Sequence, residues 1–174
     1  MKNKKYFFLS AVFTAALGTF LHFLFELSGK ARIFALFSSV NESVFEHLKL
    51  IFWPFFITVI IGFFVLEHKK RILLPAALSV FLGMFFIPAV HFSYKAFLGK
   101  SFPFIDIPLY YLAVILSYLL FYILYKNGVG GGNIGAFLGF SIFALIIFSL
   151  IYFTVNPPHT EAFLDPTTNT FGIK

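Results

Sequence analysis

The chain has 174 residues, 60% of them hydrophobic, 22% aromatic and 11% charged, with a formal net charge of +6. This apolarity excludes an ordinary soluble domain and predicts one integral-membrane domain over residues 1–174. Cysteine is absent, so disulfides are excluded and any metal would rest on His, Asp and Glu. The basic residues gather as KNKK and HKKR beside apolar runs. Membrane topology and anionic headgroups explain them there, and no nucleic-acid partner is expected.

The first predicted span covers residues 6–27. Its start, after Lys2, Lys4 and Lys5, also has the form of a signal peptide with Ala15-Ala16 as a cleavage context. Apolarity continues past the usual length of such a leader, however, and Thr14, Gly18, His22 and Glu26 recur every fourth residue. That stripe suits packing inside a bundle, so the segment is read as a retained helix. The second span, 44–66, carries Pro54 as a kink. The third, 72–89, contains Gly83 and ends near Pro88. Asp106 before Ile107-Pro108 reads as the N-cap of the fourth, 107–125. The linker GVGGGN at 128–133 turns the chain into the fifth span, 133–155, and Gly131, Gly135 and Gly139 continue a four-residue spacing suited to close helix packing. With no strand before it and no Lys-Ser/Thr after it, this linker is not a nucleotide-binding phosphate loop. Pro157-Pro158 ends the fifth span. The tail HTEAFLDPTTNTFGIK holds Phe163, Leu164 and Phe171 and is expected to fold back over the outer mouth of an all-α, five-span transmembrane bundle.

Alternating spans place residues 2–5, 67–71 and Lys126 on one side, and Lys30, Arg32, Lys95, Lys100 and Lys174 on the other. The positive-inside rule then predicts a multi-pass protein of the cell membrane with a cytoplasmic N-terminus and an extracytoplasmic C-terminus.

The same alternation gathers nearly every other ionisable group at the outer end. The set includes His22, Glu26, Glu42, Glu46, His47, Lys49, His91, Lys95, Asp106, His159, Glu161 and Asp165. In a helix starting near residue 40, Glu42, Glu46 and Lys49 share one face and His47 lies about a quarter-turn away. Ser39-x-x-Glu42 and Ser43-x-x-Glu46 also match capping boxes. Capping leaves His47, His22/Glu26 and His91/Lys95 unexplained, and clustered ionisable residues in a membrane protein mark a substrate, ion or proton site.

The expected site takes Glu42 or Glu46 as general base. It takes His47, His91, His159 and Asp165 as ligands of one divalent metal (zinc, manganese or iron), with His22, Glu26, Asn41 and Lys49 as further members. Such a centre would hydrolyse a lipid or membrane-associated substrate. The alternative is a small solute or proton transporter, or a substrate-binding component that acts with a membrane-protein partner. Backbone carbonyls freed by the prolines would then line its path. A structural or accessory role is the third reading.

NESVFEHLK at 41–49 and PPHTEAFLDPTTNTFG at 157–172 resemble an uncharacterised bacterial family of small multi-span integral membrane proteins, a domain of unknown function. Its motifs, NESxxEHxK and PPHxxxFxDP, map onto Asn41, Glu42, Ser43, Glu46, His47 and Lys49, then His159, Phe163, Asp165, Pro166 and Gly172. The resemblance implies which residues matter and carries no activity with it.

Overall fold

A computed structural model describes residues 2–173, so Lys174 of the charge pattern lies outside it. Five long helices dominate: α1 (Lys2–Leu27), α3 (Val44–Val65), α4 (Leu73–Leu98), α5 (Pro103–Lys126) and α6 (Asn133–Val155). A single turn, α2 (Arg32–Ala35), interrupts the connection from α1 to α3. Each long helix is apolar enough to cross a membrane, and at ~1.5 Å per residue each exceeds the ~30 Å of a hydrocarbon core. The chain is a multi-pass membrane protein with an all-α, five-span fold.

Two predicted boundaries move. The third span does not stop near Pro88 but continues to Leu98, where Gly99 caps it in the left-handed region at φ +75°. Pro88 removes one intrahelical hydrogen bond, and the extra turns beyond it carry His91 and Tyr94 onto α5, where both bond Asp106. The fourth span begins at Pro103 rather than after Asp106, with Phe102 as an extended N-cap. Proline at the first helical position has no N–H to leave unsatisfied. Asp106 is therefore an acid of the first turn, not the cap.

α3 and α4 form the central pair. Half of the spanning residues in each are buried, against 28% in α1 and α6 and 33% in α5. The core between them holds Phe52, Phe55, Val59, Ala76, Ala77, Val80, Val114, Tyr118, Phe121, Phe143 and Leu150. Gly139 lets the start of α4 lie directly on α6, since a Cβ there would run into the backbone of Leu73 and Leu74. Among the described residues no fully buried side-chain oxygen or nitrogen lacks a partner. Tyr118 Oη bonds Thr14 Oγ1 at 2.7 Å and Thr58 Oγ1 at 2.6 Å, and Tyr6 Oη donates to the Thr58 carbonyl at 2.6 Å. In hydrocarbon each such group must find its partner inside the protein.

After α6 the tail folds back as expected. A 3-10 turn (Glu161–Phe163) leads into β1 (Leu164–Asp165), which pairs antiparallel with β2 (Thr170–Phe171) in the register Leu164 to Phe171 and Asp165 to Thr170. Phe163 stacks on Phe45 of α3 at 4.4 Å and meets Phe153 of α6 edge-on at 5.6 Å.

Alternation of the spans sets the connection 28–43, the α4–α5 loop and the tail at one end, and residues 66–72 and 127–132 at the other. Because the chain has no cysteine, single cysteines report sidedness cleanly. Pro166→Cys is expected to react with an impermeant thiol reagent on intact cells and Lys70→Cys only after permeabilisation. Reversed labelling would invert the orientation, and labelling of both positions from one side would break the five-span topology.

Candidate metal centre

The segment 39–49 is built around the start of α3. Ser43 is the N-cap, its hydroxyl accepting from the Glu46 amide at 3.4 Å. Only half of the predicted capping box forms. The Glu46 carboxylate turns away to accept from the Val40 amide at 3.0 Å. Because α3 begins at Val44, Glu42 precedes the helix and does not share a face with Glu46 and Lys49. The two glutamates consequently go to different places.

Glu46 and Lys49 point inward. Lys49 is 0% exposed and Glu46 2%. The Lys49 ammonium donates to Glu46 Oε2 at 2.5 Å, to the Ala35 carbonyl at 2.7 Å and to Thr154 Oγ1 at 3.0 Å, which uses all three of its donors. Thr154 in turn donates to Glu46 Oε1 at 3.0 Å. Both carboxylate oxygens are thus occupied.

Glu42 points outward, between two imidazoles. Its Oε1 lies 3.7 Å from His22 Nε2 and its Oε2 3.6 Å from His47 Nε2. One ligand atom from each of the three residues lies within 4.8 Å of the other two. The other nitrogen of each ring is already engaged. His47 Nδ1 is 2.8 Å from the Ser43 carbonyl, which can only accept, so this nitrogen carries the hydrogen. Ser39 Oγ donates to the His22 carbonyl at 3.2 Å and is 3.3 Å from His22 Nδ1. With that hydrogen on the carbonyl, Ser39 Oγ is free to accept from a His22 Nδ1–H. In these tautomers both Nε2 lone pairs face a carboxylate, and among the described residues none of the three groups receives a hydrogen bond across the gap. Among the described residues three acceptors converge here without a donor, an arrangement that a bound cation or a proton on one ring would satisfy.

The donor set fits a divalent transition metal. Two imidazoles and a carboxylate suit zinc, iron or manganese. A tetrahedral ion with ligands at ~2.0–2.1 Å would set ligand atoms ~3.3 Å apart; one ligand atom from each residue lies within 4.8 Å of the others, so the side chains would draw in around an ion. A ring hydrogen-bonded through Nδ1 to a backbone carbonyl or hydroxyl is the usual support of an Nε2 ligand. Glu42 is 48% exposed on its side chain, so one flank of the group is open.

The other expected site residues lie elsewhere. His91 Nδ1 is 2.8 Å from Asp106 Oδ1, which also accepts from Tyr94 Oη at 2.6 Å; this is a latch between α4 and α5. Glu26 pairs with Lys30 at 3.6 Å on the surface, and Lys95 with Glu161 at 2.6 Å. His159 stacks on Phe171. Asp165 holds the turn between β1 and β2, accepting from the Thr167 amide and from the Thr167 and Thr168 hydroxyls. Asn41 joins the tail to the centre, with Nδ2 donating to the Gly172 carbonyl at 3.1 Å and Oδ1 accepting from the Ser43 amide at 2.9 Å. Sequence reasoning did not find Thr154, Ser39 as a ring support, or the Ala35 carbonyl. Neither a backbone carbonyl nor one threonine in an apolar helix carries a local signature.

Lys49→Met leaves Glu46 buried without its cation and is expected to cost about 3–5 kcal/mol of unfolding free energy, with Glu46→Leu/Lys49→Met recovering most of the loss. Denaturant unfolding in mixed micelles measures both. A double variant no better than the single would show that the charge itself is not the problem. The Asp165 carboxyl also predicts a pH dependence. Burial pushes it up, but the hydrogen bonds from Thr167 and Thr168 outweigh burial and hold it below the usual carboxylate range. Its stabilisation of the tail is complete above the ordinary value of ~3.9 and is lost as pH falls through the lowered folded value. Limited pepsin digestion should cut the tail of the native chain increasingly from pH 4 toward pH 2, whereas Asp165→Asn should be cut equally across that window.

No curated protein and no solved structure matches the chain. Residues 1–173, however, match a family of unknown function, DUF6512, essentially end to end. The chain belongs to the DUF6512 family of unknown function.

Proposed function

We propose that the protein is a membrane-embedded, metal-dependent hydrolase centred on His22, Glu42 and His47, acting at the bilayer surface on a lipid or other membrane-associated ester or phosphoester. The observation that carries this reading is the pair of Nε2 lone pairs facing a carboxylate with no donor between them. A divalent ion held there would act as a Lewis acid and bring the pKa of a water toward ~7. Glu42, half-exposed, leaves a side for water and substrate and is placed to receive a proton at one carboxylate oxygen. Glu46 serves as a positioning residue rather than a base, because both of its oxygens already accept hydrogen bonds.

An amphiphilic substrate suits the surroundings. Phe23 packs edge-on against the His22 ring at 4.8 Å and is exposed, as are Phe34 and Phe37 on the connection to α3. These side chains lie where the acyl part of a lipid would sit while its polar linkage reaches the imidazoles. Transport is less well supported, since Phe55, Phe121 and Tyr118 fill the middle of the bundle.

The test is metal analysis of protein purified without chelator. About one zinc, manganese or iron per chain is expected, and His22→Ala and His47→Ala should lose it. Added metal at 100 times its Kd should stabilise the native chain by about 2.7 kcal/mol. Absence of stoichiometric metal, together with melting unaffected by all three ions, would overturn the reading. Stoichiometric metal that survives both His→Ala changes would move the centre elsewhere.

A further inference from the structure

At the end of the bundle opposite His22, the turn 67–71 and the glycine loop 128–132 enclose a cleft of about 580 Å³. His68, Lys69, Lys70 and Arg71 line one wall, Gly128 and Gly131 the other. The Arg71 side chain lies on the glycine backbone: a methyl group at Gly128 or at Gly131 would come within 3.2 Å of it. Gly128 and Gly132 stand at φ +70° and +105°, where other residues are strained. The bare loop thus leaves room for the Arg71 guanidinium to lie along its backbone at the wall of the cleft.

Among the described residues, none of Lys69, Lys70 and Arg71 forms an ion pair, and Glu67 is the single acid lining the cleft. Three cations converging on a concave surface repel one another and focus a positive potential. The cleft also has a fixed depth. It lies between the end of α3 at Val65 and the start of α4 at Leu73, and between the end of α5 at Lys126 and the start of α6 at Asn133, which is the level of the lipid headgroups. A forked guanidinium beside two ammonium groups matches the oxygens of a phosphate, and basic pockets between transmembrane helices hold anionic headgroups in this way.

We infer that this cleft binds a phosphate group, carried by an anionic phospholipid headgroup or free in solution. It is independent of the metal centre, uses no residue of it, and differs from a nucleotide phosphate loop in that its cations come from the facing turn.

The full chain would be placed in nanodiscs with chelator present, so that phosphate cannot bind through a metal. Melting would be compared in phosphatidylcholine, in phosphatidylcholine with 10 mM sodium phosphate against sodium chloride of equal ionic strength, and in discs containing phosphatidylglycerol. A rise of about 3–5 °C is expected in the last condition. It should be lost in Arg71→Gln and Lys70→Gln and kept in Lys126→Gln, which removes a charge from the same end outside the cleft. A rise with sodium phosphate, with the same pattern of variants, would identify free phosphate as the source. If Arg71→Gln does not fold, the exposed Lys70 decides the result. No rise in either condition, or one equally reduced by all three substitutions, would overturn the inference.

Discussion

Lys49 carries a positive charge to a place with no water, and several groups must reach it together. An isolated ammonium in such surroundings is prohibitively costly; with a carboxylate, a carbonyl and a hydroxyl around it the cost is offset. Those partners come from α3 itself, from the short turn α2 and from the last turn of α6. Satisfying one charge therefore ties together three segments that also meet through Trp53 on the Leu36 carbonyl and Phe52 on Phe143. The connection 28–43 is drawn across the end of the bundle by the Ala35 carbonyl and by the Val40 amide on Glu46. That is what sets Ser39 and Glu42 beside α1.

The imidazole group outside this network inherits its geometry. His22 belongs to α1 and His47 to α3, two helices held side by side by close backbone contact. A Cβ on Gly18 would collide with the Tyr110 hydroxyl and the Leu50 carbonyl. One turn beyond Gly18, the two rings lie 5.1 Å apart, a separation that packing deep in the bundle sets. Glu42 closes the group from a non-helical residue, so its place depends on how the connection is anchored. An inward pair made rigid by burial and an outward group left half-open form a division of labour between neighbouring carboxylates.

Much of this was legible in the sequence because hydrocarbon imposes few solutions: apolar runs of the right length gave five helices, and their alternation brought the ionisable residues to one end. Boundaries moved where proline was read as a stop, since Pro88 costs one hydrogen bond while the latch beyond it supplies two. The cluster of ionisable residues was legible in its motif, but the separate placement of Glu42 and Glu46 was not. Spacing along a helix put Glu42 and Glu46 on one face, and the start of the helix two residues after Glu42 separated them. His22 was noted as part of a packing stripe, although its role as the partner of His47 depends on the approach of two helices, which no local pattern encodes. His91 and Asp165 attracted attention for good reason. His91 is one of two α4 side chains that bond Asp106 and clasp α4 to α5, and Asp165 is the hub that shapes the tail.

Thr154 has a consequence for biogenesis. Ribosomes deliver the spans in order, so α3 enters the membrane with Lys49 and Glu46 already on it, whereas their shared hydroxyl arrives only with the final turn of α6. Until then the pair lacks one partner, although the 28–43 connection is already tied to α1 and α3 through Ser39 and the Leu36 carbonyl. The fifth span therefore completes the set of partners around the pair. Quality control that recognises exposed intramembrane charge would thus read out, at Lys49, whether synthesis had run through to residue 154.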